Sequence, residues 1–366
     1  MDSSTNVPVQ KTPEKSKSYP GVVKAWLIIG VIMILVQVVV GGITRLTGSG
    51  LSITKWEIVT GTIPPLNAQE WEEAFDLYKA TPQYKKINEG MSMGEFKFIY
   101  FWEYIHRLWA RFMGLVFAIP FFIFWAKGYL DKPLMRRLGI VVLLAAIVAS
   151  FGWIMVASGL IDRPWVDAYK LTMHLSLAVI LYSYLLWTTF KVVQPEKKVI
   201  NNRLLKRGSY LLIFLVALQI IFGGVMSGMK AGLFFPTWPD MHGAFIPEVV
   251  LDASAYTVEN FVQYDDSSFM AAFIQVLHRI TAYLLVIIGL WYFYKGKNAE
   301  TTHTFYLGIY LLVTMLITQV LLGIFTVVNS VGTVPVTLGV LHQAGALLLL
   351  SIVLFLNYQL VKRKAR

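Results

Sequence analysis

No cysteine occurs in the 366 residues, which excludes disulfides, thiolate metal sites and cysteine nucleophiles. Charge is scarce as well. Asp, Glu, Lys and Arg make up 14% of the chain, where soluble domains carry roughly 25%. With 56% hydrophobic residues and a mean hydropathy of +0.60, the chain is too apolar for a soluble domain. Acidic residues are the scarcer sign, 21 against 32 Lys and Arg, for a net charge of +11. The first twenty residues lack an apolar core segment, so no cleaved signal peptide is expected. They contain Asp2 and Glu14 but no Arg, unlike a mitochondrial presequence.

What is abundant is long apolar runs. Eight stand out, each near the ~20 residues that a bilayer span requires: Val22–Gly42, Phe98–Ala126, Arg136–Ser158, Tyr169–Val192, Gly208–Met229, Met270–Tyr294, Phe305–Val328 and Thr337–Leu360. Trp26, Trp102, Trp125, Trp187, Tyr292 and Tyr294 lie near their ends, where interfacial aromatics belong. The expected fold is an all-α membrane protein of eight transmembrane helices. The N-terminus, the second, fourth and sixth connections and the tail, with their helix flanks, hold 20 Lys and Arg, from Lys11 through Arg136, Arg137, Lys197, Lys198 and Arg207 to Arg366. The other four connections hold nine, and acidic residues run the opposite way, five against fifteen. The positive-inside rule therefore puts both termini in the cytoplasm, or in the matrix of a mitochondrion. The positive charge is a topology signal, and nucleic acid is not an expected partner; membrane lipid is. A multi-pass protein of a bacterial inner membrane is the expectation.

Two outer loops are long, roughly 43–97 and 230–269, and both carry Trp, Pro and Gly, which predicts folded caps. The stretch Gln69–Lys86 reads as a short amphipathic helix.

The chain repeats itself. The first span ends in QVVVGGITR and the fifth in QIIFGGVMS, pairing Gln37, Gly41 and Gly42 with Gln219, Gly223 and Gly224. YIHRLWARFMG in the second span matches VLHRITAYLLV in the sixth, and YKLTMHLSLA in the fourth matches VTLGVLHQAGA in the eighth. Three matches in the same order predict two repeated four-helix bundles. They divide the chain into a tail 1–21, an N-terminal repeat 22–192, a linker 193–207, a C-terminal repeat 208–360 and a tail 361–366.

An imidazole in hydrocarbon is costly and usually functional. Four of the six histidines, His106, His174, His278 and His342, fall inside spans at matching places in the repeats, 68 residues apart in one and 64 in the other. Each half thus offers two imidazoles from two helices toward the outer surface, as bis-histidine ligation of a heme requires. Zinc or copper competes, but carboxylates nearby are few and thiolates absent. Small residues around them, Gly114, Ala110, Ser176, Ala178, Gly339, Ala344 and Gly345, leave room for a porphyrin, though small residues are also ordinary membrane packing. His242 and His303 lie in an outer and an inner loop and read as non-ligands.

Arg107 and Arg279 each follow a histidine; heme propionates or outer lipid headgroups are their expected partners. Glu103 sits three residues before His106, on the same helix face, and its repeat counterpart is Gln275. A membrane carboxylate beside a heme can accept a proton; the alternative is a counter-ion to Arg107 or Arg111.

At these residues the chain resembles the heme A synthase family. RLTGSGLSITKWEIVTGTIPP and EFKFIYFWEYIHRLWARFMG are similar to the family's first outer loop and second helix, and GWIMVASGL and the HR of the sixth span also match. The resemblance covers most of the chain beyond residue 20. It implies that His106 and His174 hold the substrate-side heme, that His278 and His342 hold a heme b, and that Glu103 takes part in oxidising a methyl of heme O to the formyl of heme A, with oxygen from water. It also implies a heme O synthase and a cytochrome oxidase as partners, with an electron acceptor the sequence does not name. Some members carry cysteine pairs in the outer loops; this chain has none, which places it in a cysteine-free subgroup. A diheme cytochrome b in quinone-linked electron transfer would explain the histidines but not Glu103 against Gln275. A two-repeat transporter with a histidine proton relay would predict helices broken near the midplane.

Overall fold

A computed structural model describes residues 18–55, 62–161, 163–194 and 200–361. Lys11, Lys197, Lys198 and Arg366 of the charge count, Asp2 and Glu14, and residues 56–61 of the first outer loop lie outside the described residues. Twelve α-helices follow in chain order: α1 (Gly21–Leu46), α2 (Ala68–Lys79), α3 (Pro82–Ile87), α4 (Met93–Ala126), α5 (Lys132–Gly159), α6 (Ala168–Val193), α7 (Arg203–Gly228), α8 (Glu248–Leu251), α9 (Val258–Val262), α10 (Phe269–Lys297), α11 (His303–Val328) and α12 (Val336–Leu360). Eight of them, α1, α4, α5, α6, α7, α10, α11 and α12, have the length and apolarity to cross a membrane. Among the described residues no β-strand forms.

Several helices start earlier than the apolar runs, because polar caps outside the hydrocarbon nucleate them. Ser92 and Glu95 form a reciprocal capping box that opens α4 five residues before Phe98. Asp131, Asn202 and Thr302 each accept a backbone N–H of the first turn of α5, α7 and α11. His303, expected in a loop, is therefore the first residue of α11, and it is exposed. The amphipathic stretch after residue 68 is two helices rather than one. Thr81 caps α3 and Pro82 begins it, so α2 must end before them.

The central ring of the bundle is α1, α6, α7 and α12. Against it lie α4 on α1, α5 on α6, α10 on α7 and α11 on α12, so each pairing in one repeat has its counterpart in the other. One pairing breaks the rule. Helices α10 and α11 pack along each other, whereas their counterparts α4 and α5 do not. The core toward the basic connections is continuous across the repeats, joining Leu27, Leu138 and Leu185 to Leu212, Phe305 and Leu356. Where α6 and α7 meet, Gly228 has no room for a side chain: a Cβ there would stand 2.6 Å from Ala168 Cα.

Two expected interfacial aromatics turn inward. Trp26 is buried and donates from Nε1 to the Val116 carbonyl at 3.0 Å, and Tyr292 is fully buried beside Phe305. Trp125 and Tyr294 are exposed, as membrane-interface residues should be. Both long outer loops form folded caps. In the first, Phe75 and Tyr78 of α2 stack on Phe96 at the outer end of α4; in the second, Tyr256 and Phe261 pack on Phe269.

Candidate functional site

The four intramembrane histidines sit on four different helices, His106 on α4, His174 on α6, His278 on α10 and His342 on α12. In the second repeat the His278 and His342 rings face one another with centroids 6.3 Å apart and planes at 68°. Two imidazoles on opposite sides of one metal, each bond about 2 Å long, are separated by roughly this much. Two nitrogens alone do not make a metal site. Among the described residues no group of three or more His, Cys, Asp or Glu converges, so a bare zinc or copper ion lacks ligands. A porphyrin supplies its own four nitrogens and needs only two axial donors, which is the donor set each repeat offers. Nδ1 of His174, His278 and His342 is buried without a formed hydrogen bond, as expected of rings whose environment is completed by a bound group.

Each histidine lies against a glycine of the neighbouring helix. A Cβ would fall 3.0 Å from His106 Cε1 at Gly41, 2.9 Å from His174 Cε1 at Gly152, 3.3 Å from His278 Cε1 at Gly223 and 3.1 Å from His342 Cε1 at Gly323. These differ from the small residues expected to leave room: Gly339 meets Leu46, Gly345 meets Gln319, and Gly114 is exposed and faces open space. Gly152 and Gly323 lie in the third and seventh spans, outside the three matched segments of the repeat, so no sequence signal singles them out. The repeated glutamines also reach the rings. Gln37 Nε2 lies 3.2 Å from His106 Nδ1, and Gln219 Nε2 lies 3.0 Å from His278 Nε2.

Glu103 is 2% exposed, and every partner it has donates to it. Its Oε2 accepts from the Ser52 N–H at 2.7 Å, the Ser52 hydroxyl at 2.7 Å and the Ile53 N–H at 2.8 Å, and its Oε1 pairs with the Arg107 guanidinium. Of the two counter-ions weighed for it, Arg107 is the one that pairs. Arg107 also donates to the Ile53 carbonyl at 3.2 Å. The carboxylate thus pins the loop that leaves α1 onto the outer end of α4, with Gln83 of α3 holding the Gly48 carbonyl on the other side at 3.0 Å. Ser52 and Ile53 were not legible as partners, since they stand about fifty residues away in sequence.

The second repeat makes the same anchor with opposite polarity. Gln275, 1% exposed, donates to the Phe235 carbonyl at 2.9 Å. Arg279 donates to the carbonyls of Thr237, Pro239 and Asp240 at 2.6, 3.1 and 2.8 Å. In one half an anion gathers backbone N–H groups; in the other an amide and a cation gather carbonyls. Both arginines are thus engaged by the protein's own outer loops rather than by headgroups alone. Arg45 carried no expectation, yet it joins the repeats: it donates to the last carbonyls of α7, Ser227 at 2.7 Å and Gly228 at 3.0 Å. In the repeat register its own counterpart is Ser227. A cation at a helix C-terminus is favoured by the dipole and by unpaired carbonyls.

A family model described as cytochrome oxidase assembly protein matches residues 24–354. The chain is 40% identical over 342 residues to the heme A synthase of Flavobacterium johnsoniae, covering 92% of this chain and 97% of that protein. It is 40% identical over 354 residues to the heme A synthase of Nitrosospira multiformis, 96% of each. It is 38% identical over 340 residues to the heme A synthase of Parvibaculum lavamentivorans, 92% of this chain and 94% of that protein.

Proposed function

The chain belongs to the cytochrome oxidase assembly protein family, and we propose on that premise that it oxidises a methyl group of heme O to a formyl group, giving heme A. The balance is methyl plus water to aldehyde with release of four protons and four electrons, so water supplies the oxygen and an acceptor takes the electrons. His106 and His174 hold the substrate, and His278 and His342 hold a resident heme b. When bound, heme b supplies a one-electron relay from the substrate half to the acceptor. Arg107 and Arg279 place positive charge at the outer end of each site, where propionates need it.

The observation that carries the assignment of the halves is their difference in closure. Helices α10 and α11 pack together beside His278 and His342, as suits a group that stays, whereas α4 and α5 stand apart beside His106 and His174, as suits a substrate that exchanges with the bilayer. Glu103 lies in the open half and Gln275 in the closed one. Purified protein is expected to yield heme b together with heme O or heme A on pyridine hemochrome analysis and chromatography. Heme b alone would make it an electron-transfer cytochrome, and no heme would remove both readings.

Orientation follows from the charge asymmetry: a bacterial inner membrane with both termini in the cytoplasm puts the heme sites near the outer surface, toward a heme O synthase upstream and a cytochrome oxidase downstream. A reporter fused at the C-terminus is expected to behave as cytoplasmic, and one inserted between Lys230 and Phe269 as external. The reverse pattern would invert the location of both sites.

A further inference from the structure

The two repeats exchange contacts. Gly42 of α1 lies against Gln343 of α12, where a Cβ would stand 2.9 Å from Oε1. Gly224 of α7 lies against Leu175 of α6, where a Cβ would stand 3.4 Å from Cδ2. Gly42 and Gly224 are counterparts in the repeat register, and so are Gln343 and Leu175, each one residue after a span histidine. The first repeat thus touches the second as the second touches the first, which is a twofold relation about an axis through the ring of α1, α6, α7 and α12. A residue that meets its own counterpart lies at that axis. Arg45 does so: its Nη2 donates to the carbonyl of Ser227, its counterpart, at 2.7 Å and to that of Gly228 at 3.0 Å. An arginine from each half would bring two guanidinium groups together there, and only one half carries it.

Arg45 stands one turn, about 6 Å, beyond Gly41 on α1, and Ser227 stands one turn beyond Gly223 on α7. Gly41 and Gly223 are the glycines that touch His106 and His278. The arginine therefore spans from one site to the other, at their outer side. Its charge is not neutralised as that of Arg107 is by Glu103. Among the described residues Arg45 pairs with no carboxylate, and its Nε is buried without a hydrogen bond. The last carbonyls of α7 offer only about half a unit of negative charge. We propose that Arg45 is a cation shared by the two sites, fixed at the axis between them, that favours the ferrous form of the heme b held by His278 and His342. This rests on the heme-ligation reading and deepens it. Ferric iron carries one positive charge more than ferrous iron, so a fixed cation nearby opposes oxidation and raises the potential at which the site accepts an electron. The second repeat then becomes a better acceptor for electrons that leave the first.

The test is a redox titration of heme b in the purified, heme-loaded protein, and it needs no turnover. Arg45→Gln keeps N–H donors for the α7 carbonyls and removes the charge. One unit charge at a separation on the order of 10 Å and an effective dielectric of about 20 is worth about a tenfold change in an equilibrium. Arg45→Gln is therefore expected to lower the ferrous-to-ferric ratio at a given potential by up to about tenfold, a downward shift of up to about 59 mV. The shift should persist at high salt, which screens exposed charges far more than enclosed ones. Arg45→Lys keeps the charge and is expected to stay near the wild-type potential. Ser227→Asp leaves Arg45 in place and, by the twofold relation, sets an anion opposite it; it is expected to lower the potential too. If Arg45 only latches α1 to α7, Arg45→Gln loses thermal stability while the potential of its bound heme stays put. An unmoved potential in folded Arg45→Gln, or in Ser227→Asp where Arg45→Gln does not fold, overturns the proposal, and so does an equal fall in Arg45→Lys. His278→Met and His342→Met separate the two levels. If they leave heme b unaltered, the ligation reading fails; if they alter it while the charge variants do not, only the role of Arg45 fails.

Discussion

Replacing His278 or His342 with Met removes or transforms the b-type spectrum of the purified protein, whereas replacing His106 or His174 leaves that spectrum in place and stops heme A formation. The expectation comes from the two repeats sharing a pair of helix-borne histidines but not a closure. In the second repeat the rings stand 6.3 Å apart between helices that pack together on both sides. A heme there would lose one of its two axial imidazoles. Methionine is long and flexible enough to fill the space, and where its sulfur reaches the iron the potential rises, as in cytochromes with His/Met ligation. Where it does not, the iron becomes high-spin or the heme is lost. Absorption, EPR and heme content of the four single variants, measured on protein normalised by amino-acid analysis, check this. A resident low-spin spectrum unchanged in both His278→Met and His342→Met would end the assignment of that half.

The spans were legible because a bilayer imposes a length that composition alone reveals, and the histidines because ionisable groups inside spans are rare. The repeat was legible from three matched segments, and it brought Gln37, Gly41, Gln219 and Gly223 forward before their contacts were known. Contacts between helices were not legible. That Gly152 serves His174 and Gly323 serves His342 depends on α5 lying on α6 and α11 on α12, which no periodicity states. The burial of Tyr292 was misread for a related reason. Position near a helix end predicts an interface residue, but the ring points into the core and packs on Phe305. Helix ends were set by caps such as Ser92 with Glu95, which lie outside the apolar runs that located the spans.

Glu103→Gln is expected to fold, keep heme b, and lose heme A formation by about 10²-fold or more, accumulating heme O or the partly oxidised alcohol. That is the scale for removing a group that accepts a proton or stabilises charge in the reaction. The structure sharpens what the variant tests. Glu103 receives hydrogen bonds from Ser52 and Ile53 and pairs with Arg107, so it already works as a fixed anion that holds the first outer loop down. Gln keeps one oxygen for the loop donors but turns an amide N–H toward the Arg107 guanidinium, donor against donor. A buried cation left without its partner costs about 3–5 kcal/mol, so part of any loss in crude membranes would be instability rather than chemistry. The double variant Glu103→Gln/Arg107→Gln separates the two, because it removes the guanidinium that faces Glu103. Any protein lost to instability in crude membranes should be regained in it. If heme A per bound heme stays low in the double variant but not in Arg107→Gln alone, the carboxylate itself is required for methyl oxidation. If heme A per bound heme returns to normal, Glu103 serves only to balance Arg107 and anchor the loop, and the contrast with Gln275 reflects how each repeat fastens its outer cap rather than where oxidation occurs.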